Sequence, residues 1–506
     1  MQLEAYLQNA NYFSLGHLPT ESLHPLTLSL SDEVETDLKK AISTVQKIDL
    51  HAMEVVKLQL PLLQELAHAI DETLHSGSRV FLSGCGATGR LALTLEALFR
   101  SVHRGTVLEH KVQALMAGGD FALVKSVENF EDFSQYGQRH LLDLGFKEGD
   151  LLIAITEGGE TPYVIGTVQG AIAHSRKSPW FVYCNPTALL IQTVERSRET
   201  IENPRVKSLC LPVGPMALSG STRLQAATAQ MLAVGVALFQ NFELIDFVIS
   251  EYAKLDLADF LAPIIEWETK AYQRGARVLY QTSSYPIAVL TDTTERSPTF
   301  SLAPFEKSTD SAEPFSLCYL SIPAALDPLE AWHLILGRAP IGLEWEEFQD
   351  RLGIESILEF DFSRHALASR EARIQPKEQA VLQVESSADK RRLEFKAEGL
   401  SSRLETPLLQ KPLAEQILIK LILNTHSLMV MGKLKRYEGN VMTWVRASNG
   451  KLIDRTVRYL EFLIQKRKLK PVPREKLIEL IFEARENVKA DEAVILKILE
   501  EMEALQ

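Results

Sequence analysis

What most constrains this chain is a rhythm. Short unbroken apolar runs alternate with longer stretches of helical periodicity, and the alternation occurs twice. In the first pass the runs are Val80–Ser83, Val112–Met116, Leu151–Thr156, Trp180–Tyr183 and Ser208–Val213. A strand with one wet face alternates polar and apolar residues, whereas an unbroken run suits a strand buried on both faces of a parallel sheet. With helical stretches between the runs, a doubly wound α/β domain is expected over residues 37–255. The second pass offers Val278–Tyr280, Ile287–Leu290, Leu317–Ile322 and Ile354–Phe360 as strands, within a domain expected over residues 256–412. Residues 379–399 read as two further strands joined by a polar turn. From 413 to 506 only helical spacing remains, as in Ile453–Ile464, Leu477–Phe482 and Val494–Met502, which predicts an all-helical cap. Residues 1–36 are polar and read as an extended lead-in.

Composition removes several function classes. A chain of 506 residues exceeds one ordinary hydrophobic core, in keeping with two or three domains. The formal net charge is −12 with Lys and Arg scattered, so no nucleic-acid partner is expected. The four cysteines (85, 184, 210 and 318) form no C-x-x-C pair, and neither a disulfide framework nor a zinc ribbon follows. The opening residues lack the basic and apolar blocks of a secretory signal, and no apolar run is long enough to span a bilayer. A cytoplasmic protein without a membrane partner is the expectation. The twelve histidines form no H-x-x-x-H pair, and no metal is expected.

Two loops carry chemistry. Gly84-Cys85-Gly86-Ala87-Thr88-Gly89-Arg90 follows the VFLS run and precedes a helix. Glycines there let backbone N–H groups approach an anion at a helix N-terminus. The pattern is formally the dinucleotide fingerprint G-x-G-x-x-G, and it also suits a tight strand-to-helix turn that holds nothing. The second loop, Gly214 to Arg223, sets Ser219, Ser221 and Thr222 before another helix. One hydroxyl suffices for an N-cap, so three suggest a phosphate cradle.

Taken together, GCGATGR, AGGD (117–120), ENFED (128–132), TPYVIG (161–166), CNP (184–186) and LSGSTR (218–223) resemble the sugar-isomerase (SIS) family of N-acetylmuramic acid 6-phosphate etherase and the glucokinase regulatory protein. TESLHPLT (20–27) resembles that family's N-terminus. The resemblance implies two SIS domains with a helical cap and a phosphosugar ligand. It assigns phosphate binding to Thr88, Ser219, Ser221 and Thr222, and substrate binding also to Gly86, Gly89 and Thr161. It also points to Lys433, in the stretch Asn424-x-x-Ser427…Gly432-Lys433, as a cation that approaches the ligand.

The etherase reaction removes lactate from a sugar by elimination and water addition, which requires a base for a C–H proton and an acid for the leaving oxygen. The resemblance places one glutamate at Glu131. The family's other glutamate falls on Leu98 in the first domain, and Glu96 lies about 200° away around a helix. The full phrase returns as Asp292-Thr293-Thr294-Glu295-Arg296-Ser297-Pro298-Thr299-Phe300, after the run PIAVL. The second domain in turn has QTSSYP (281–286) where a glycine loop would stand. Each half lacks what the other keeps, so the chain resembles a fused dimer reduced to one composite site, an internal pseudo-dimer that could act as a monomer. Two functions stay open: an etherase-type carbon–oxygen lyase using Glu131 and Glu295, or a non-catalytic sugar-phosphate sensor that regulates a sugar kinase. A dinucleotide-binding protein is the lesser alternative, and no cofactor is expected.

Overall fold

The computed structural model describes residues 2–127, 130–310, 315–373, 378–447, 449–488 and 492–504. Strands β1 (Val80–Gly84), β2 (Val112–Met116), β3 (Leu151–Ile155), β4 (Trp180–Tyr183) and β5 (Lys207–Cys210) form one fully parallel sheet in the order β2-β1-β3-β4-β5. Every residue of β1, β3 and β4 is buried, as the unbroken apolar runs require. β5 stops earlier than its run because Pro212 has no N–H to offer a ladder, and it forms the sheet edge.

The second sheet has the order β10-β9-β8-β6-β7. β6 (Arg277–Gln281) pairs in parallel with β7 (Cys318–Ser321) and with β8 (Gln379–Ser386). β8, β9 (Arg392–Ala397) and β10 (Leu400–Glu405) then run antiparallel. The two strands expected in 379–399 are therefore β8 and β9, and the third strand went unforeseen.

Two expected strands are helices. Ile287–Leu290 opens the helix Pro286–Phe300, and Ile354–Phe360 holds the short helix Ile354–Leu358. A four-residue apolar run fits a buried helix turn as well as a strand, and Pro286 at the first helical position favours the helix. The lead-in is also not extended. It contains the helices Leu3–Phe13 and Leu30–Thr36 and two short 3₁₀ turns.

Beyond β10, the helix Pro412–Lys433 is buried along nearly its whole length, its polar residues Glu415, Asn424, Thr425, His426 and Ser427 included. It packs against the helices Leu257–Gln273 and Pro286–Phe300. Helices Gly450–Lys466, Arg474–Asn487 and Val494–Ala504 follow a two-residue ladder between Tyr437–Glu438 and Val441–Met442. Among the described residues no helix is long and apolar enough to cross a membrane.

Candidate functional site

In the first sheet the connections from β1 and β3 diverge, so a crevice opens beyond their carboxyl ends, where open α/β sheets place ligands. The loop after β1 is the glycine loop. Gly84 has no room for a side chain: a Cβ there would lie 2.4 Å from the backbone of Thr88 and Gly89. Gly86 has φ +54 and open space where a Cβ would point, so only its backbone conformation demands glycine. Gly89 packs against Met116. The Thr88 hydroxyl donates to the Cys85 carbonyl and accepts from the Cys85 N–H, each at 2.9 Å, and so braces the loop from within.

The loop after β3, Thr156 to Thr161, contributes two carboxylates. Thr161 Oγ1 lies 3.0 Å from Thr156 Oγ1 and closes the turn. Glu160 is buried between Arg196 and Lys451, whose Nζ stands 3.2 Å from Oε1. Burial would raise its pKa, but Lys451 and Arg196 outweigh that and hold it at about 2. Glu157 is different. Its Oε1 is buried without a hydrogen-bond partner, and Thr222 donates to its carboxyl. Burial pushes its pKa up to about 7; Glu295 adds to the rise, while Lys451 and Thr222 oppose it.

The hydroxyl loop divides its work. Ser219 donates to the Glu21 carbonyl at 3.0 Å, and its own carbonyl accepts from Tyr459 at 2.5 Å. Ser219 therefore fastens the lead-in and the cap to the loop. Ser221 Oγ is buried without a partner, and Thr222 is half-buried beside Glu157. Among the hydroxyls that the sequence singled out, Ser221 is left without a partner and Thr222 reaches Glu157, neither lining the cavities described below, whereas Thr88 and Ser219 are engaged as braces.

Glu131 lies in a 3₁₀ turn, Phe130–Asp132; Glu128 and Asn129 of the same phrase lie outside the described residues. Its Oε2 accepts from the Cys85 thiol at 3.2 Å. It lines a cavity with Asp132, Glu160, Thr161, Arg196 and Lys451. Glu295, from the second half, lines another cavity with Arg90, Arg223, Asp292, Lys420 and Asn424. Its Oε1 is 2.5 Å from Arg90 Nε, in the first turn of the glycine-loop helix Ala87–Val102. The glycine loop and Glu157 connect these two places: Cys85 feels both Glu131 and Glu157, and Glu157 feels Glu295.

Leu98 is buried on the glycine-loop helix, and Glu96 is spent elsewhere. Arg100 and Arg338 both hold the Glu96 carboxylate, and Arg338 also grips Asp120 at 2.6 Å, which ties the second half to the first. Lys433 is paired with Glu266 at 3.1 Å and is not among the residues lining either cavity. Asn424 and Ser427 hold Arg223 against Asp292. The lysine in the Glu131 cavity is Lys451, which the sequence reading missed. Its local cue was Asn449, whose side chain caps the helix Gly450–Lys466 and sets Lys451 in the first turn. Among the described residues no group of three or more His, Cys, Asp or Glu side chains is arranged to hold a metal ion.

Comparison with known proteins places residues 62–172 in the family described as the glucokinase regulatory protein N-terminal SIS domain. The chain is 34% identical over 220 residues to N-acetylmuramic acid 6-phosphate etherase of Psychromonas ingrahamii, a match covering 44% of this chain and 68% of that one. It is 33% identical over 223 residues to the etherase of Salmonella agona, covering 44% and 69%. Among solved structures it is similar to glucosamine-6-phosphate deaminase from Thermotoga maritima, at 11% identity and a TM-score of 0.36, covering 77% of this chain and 96% of that one.

Proposed function

This chain belongs to the SIS family of N-acetylmuramic acid 6-phosphate etherase and the glucokinase regulatory protein, and on that footing we propose that it binds one phosphorylated sugar in the crevice beyond β1 and β3. The observation that carries this reading is the unpartnered, buried hydroxyl of Ser221 in the loop after β5, next to Thr222, which reaches Glu157 in the loop after β3. Ser221 and Thr222 donate to the phosphate, and the N–H groups of Gly86, Ala87 and Gly89 add to the cradle, while that of Thr88 stays with the Cys85 carbonyl. Lys451 takes the role first assigned to Lys433. The domains divide at residues 37–255, 256–412 and 413–506.

The activity we propose is that of an etherase-type lyase. Glu131, at the edge of the glycine loop, abstracts or returns the proton on the sugar carbon, and Glu295 serves the leaving oxygen from the other half. A regulatory reading is favoured by one specific observation: Arg90 clasps Glu295 and fixes its carboxylate in place as a hydrogen-bond acceptor. In that reading Glu295 holds a sugar hydroxyl and a sugar kinase is the partner.

Calorimetry with a panel of hexose 6-phosphates, fructose 1-phosphate and N-acetylmuramic acid 6-phosphate tests the binding. The double variant Ser221→Ala/Thr222→Ala is expected to lose about 1.5–3 kcal/mol for each hydrogen bond to the charged acceptor. Unchanged affinity would remove this loop from the site. Lactate release from N-acetylmuramic acid 6-phosphate decides between lyase and regulator.

A further inference from the structure

Glu157 is the one buried carboxyl at the head of the crevice that no cation neutralises by direct contact among the described residues. It begins the loop after β3, at the switch point itself. One oxygen is buried without a partner, and the carboxyl accepts from Thr222, a hydroxyl of the phosphate cradle. The groups that face it come from four other elements: Cys85 from the glycine loop, Cys184 from the end of β4, Glu295 from the helix Pro286–Phe300, and Lys451 from the helix Gly450–Lys466. Burial pushes both thiols well above their ordinary range, so they stay neutral. Lys451 is drawn most strongly to Glu160, with which it is paired.

A phosphate dianion seated on Ser221 and Thr222 would meet this carboxyl at close range. As a carboxylate, Glu157 would repel the dianion and offer acceptors only. As an acid, it presents an O–H donor where the dianion needs one, and its unpartnered oxygen is relieved. We propose that Glu157 is a specificity-determining residue that engages the ligand's phosphate as the protonated acid, so that binding of the dianion takes up one proton from solvent. The inference rests on the phosphosugar reading above. The free carboxyl, held at about 7, is poised at neutral pH. No bond is made or broken in the sugar; the proton moves from solvent to the carboxyl.

The full chain is titrated calorimetrically with fructose 6-phosphate and with N-acetylmuramic acid 6-phosphate at about pH 7, 8 and 9, where the phosphate is already a dianion. Each titration is run in two buffers of different ionisation enthalpy, which counts protons. The wild type should weaken by about tenfold per pH unit above the carboxyl's pKa and take up close to one proton. Glu157→Gln, which keeps the shape and an N–H donor, should bind with a flat pH profile and outbind the wild type at the alkaline end by roughly 30-fold or more. Lys420, which burial lowers to about 7, and Asp49, which burial raises to about 7, also titrate in this range, and Lys420 feels both Asp49 and Glu295. A slope that persists in Glu157→Gln would assign the effect to that pair and overturn the proposal. Should Glu157→Gln not fold, Lys420→Met replaces it, and loss of the slope there overturns the proposal equally. Phosphosugar binding that is pH-independent in the wild type, with no proton uptake, would refute Glu157 and leave the phosphosugar reading standing. Absence of binding at every pH would refute both.

Discussion

Replacing Glu21 by Gln tests whether the cap is tied to the hydroxyl loop through the lead-in. The Glu21 carboxylate accepts from Arg455 Nε at 3.0 Å and Nη2 at 2.6 Å, and from Arg458 Nη2 at 3.0 Å, while only 4% exposed. Its own carbonyl accepts from the Ser219 hydroxyl, so the same residue touches cap and loop. Burial alone would raise the pKa of this carboxyl, but Arg455, Lys451 and Arg458 bring it from 4.5 down to about 2. That difference corresponds to roughly 3 kcal/mol of folded-state preference for the charged form. Breaking a buried pair from one side costs about 3–5 kcal/mol, because the arginines are left buried and unpaired. The two routes agree at about 3 kcal/mol. Since the folded pKa is the lower one, this stability is complete above about pH 4.5 and disappears as the pH falls toward 2. Urea unfolding of wild type and Glu21→Gln, repeated from neutral to acid pH, should show the full gap at pH 7 and a closing gap below 4.5. A gap under about 1 kcal/mol at neutral pH, or one that ignores pH, would refute the latch.

Two further outcomes follow from the loops and the clasp between halves. Gly84→Ala should destabilise more than Gly86→Ala, because a Cβ at Gly84 meets backbone at 2.4 Å whereas at Gly86 it meets open space and pays only for φ +54; thermal unfolding of both variants checks the order, and equal losses would contradict it. Arg338→Met leaves Glu96 with Arg100 alone and strips Asp120 of its 2.6 Å partner, which should cost about 3 kcal/mol and speed proteolysis between the halves, read by limited digestion.

The elements legible in the sequence were those whose cause is local or periodic. β1, β3 and β4 are buried on both faces, and burial on both faces is what an unbroken apolar run records. The break between the helices Leu38–Lys57 and Leu60–His75 falls just before Pro61, a residue suited to the first turn of a helix and not to its interior. Ile287–Leu290 misled because four apolar residues in a row carry no period, and the deciding contacts come from the helix Pro412–Lys433, more than a hundred residues later. The lead-in misled for a related reason. Three of its polar residues are buried and spent on distant partners: Thr20 on Asn185, Glu21 on Arg455, and Thr27 on Asn440.

The same distinction separates motif from role within the site. Motif spacing brought the glycine and hydroxyl loops to attention, but it could not tell a hydroxyl that is left without a partner from one that holds the scaffold. Ser219 and Ser221 stand two residues apart in one phrase, yet the first is consumed by the Glu21 carbonyl and the second is left without a partner. Glu96 shows the converse. Its position on the glycine-loop helix is wrong for the family's carboxylate but right for Arg338, 242 residues away, so a residue that looked like a failed substitute is half of the clasp between the domains. Arg90 completes this logic by reaching from the same helix to Glu295, which fixes that carboxylate by a partner in the other half and not by its own loop. The proposed composite site depends on the two halves keeping one relative position. The buried ion pairs Arg90–Glu295, Arg223–Asp292 and Arg338–Asp120 all cross that boundary, and each would leave a buried charge unpaired if the halves slid apart.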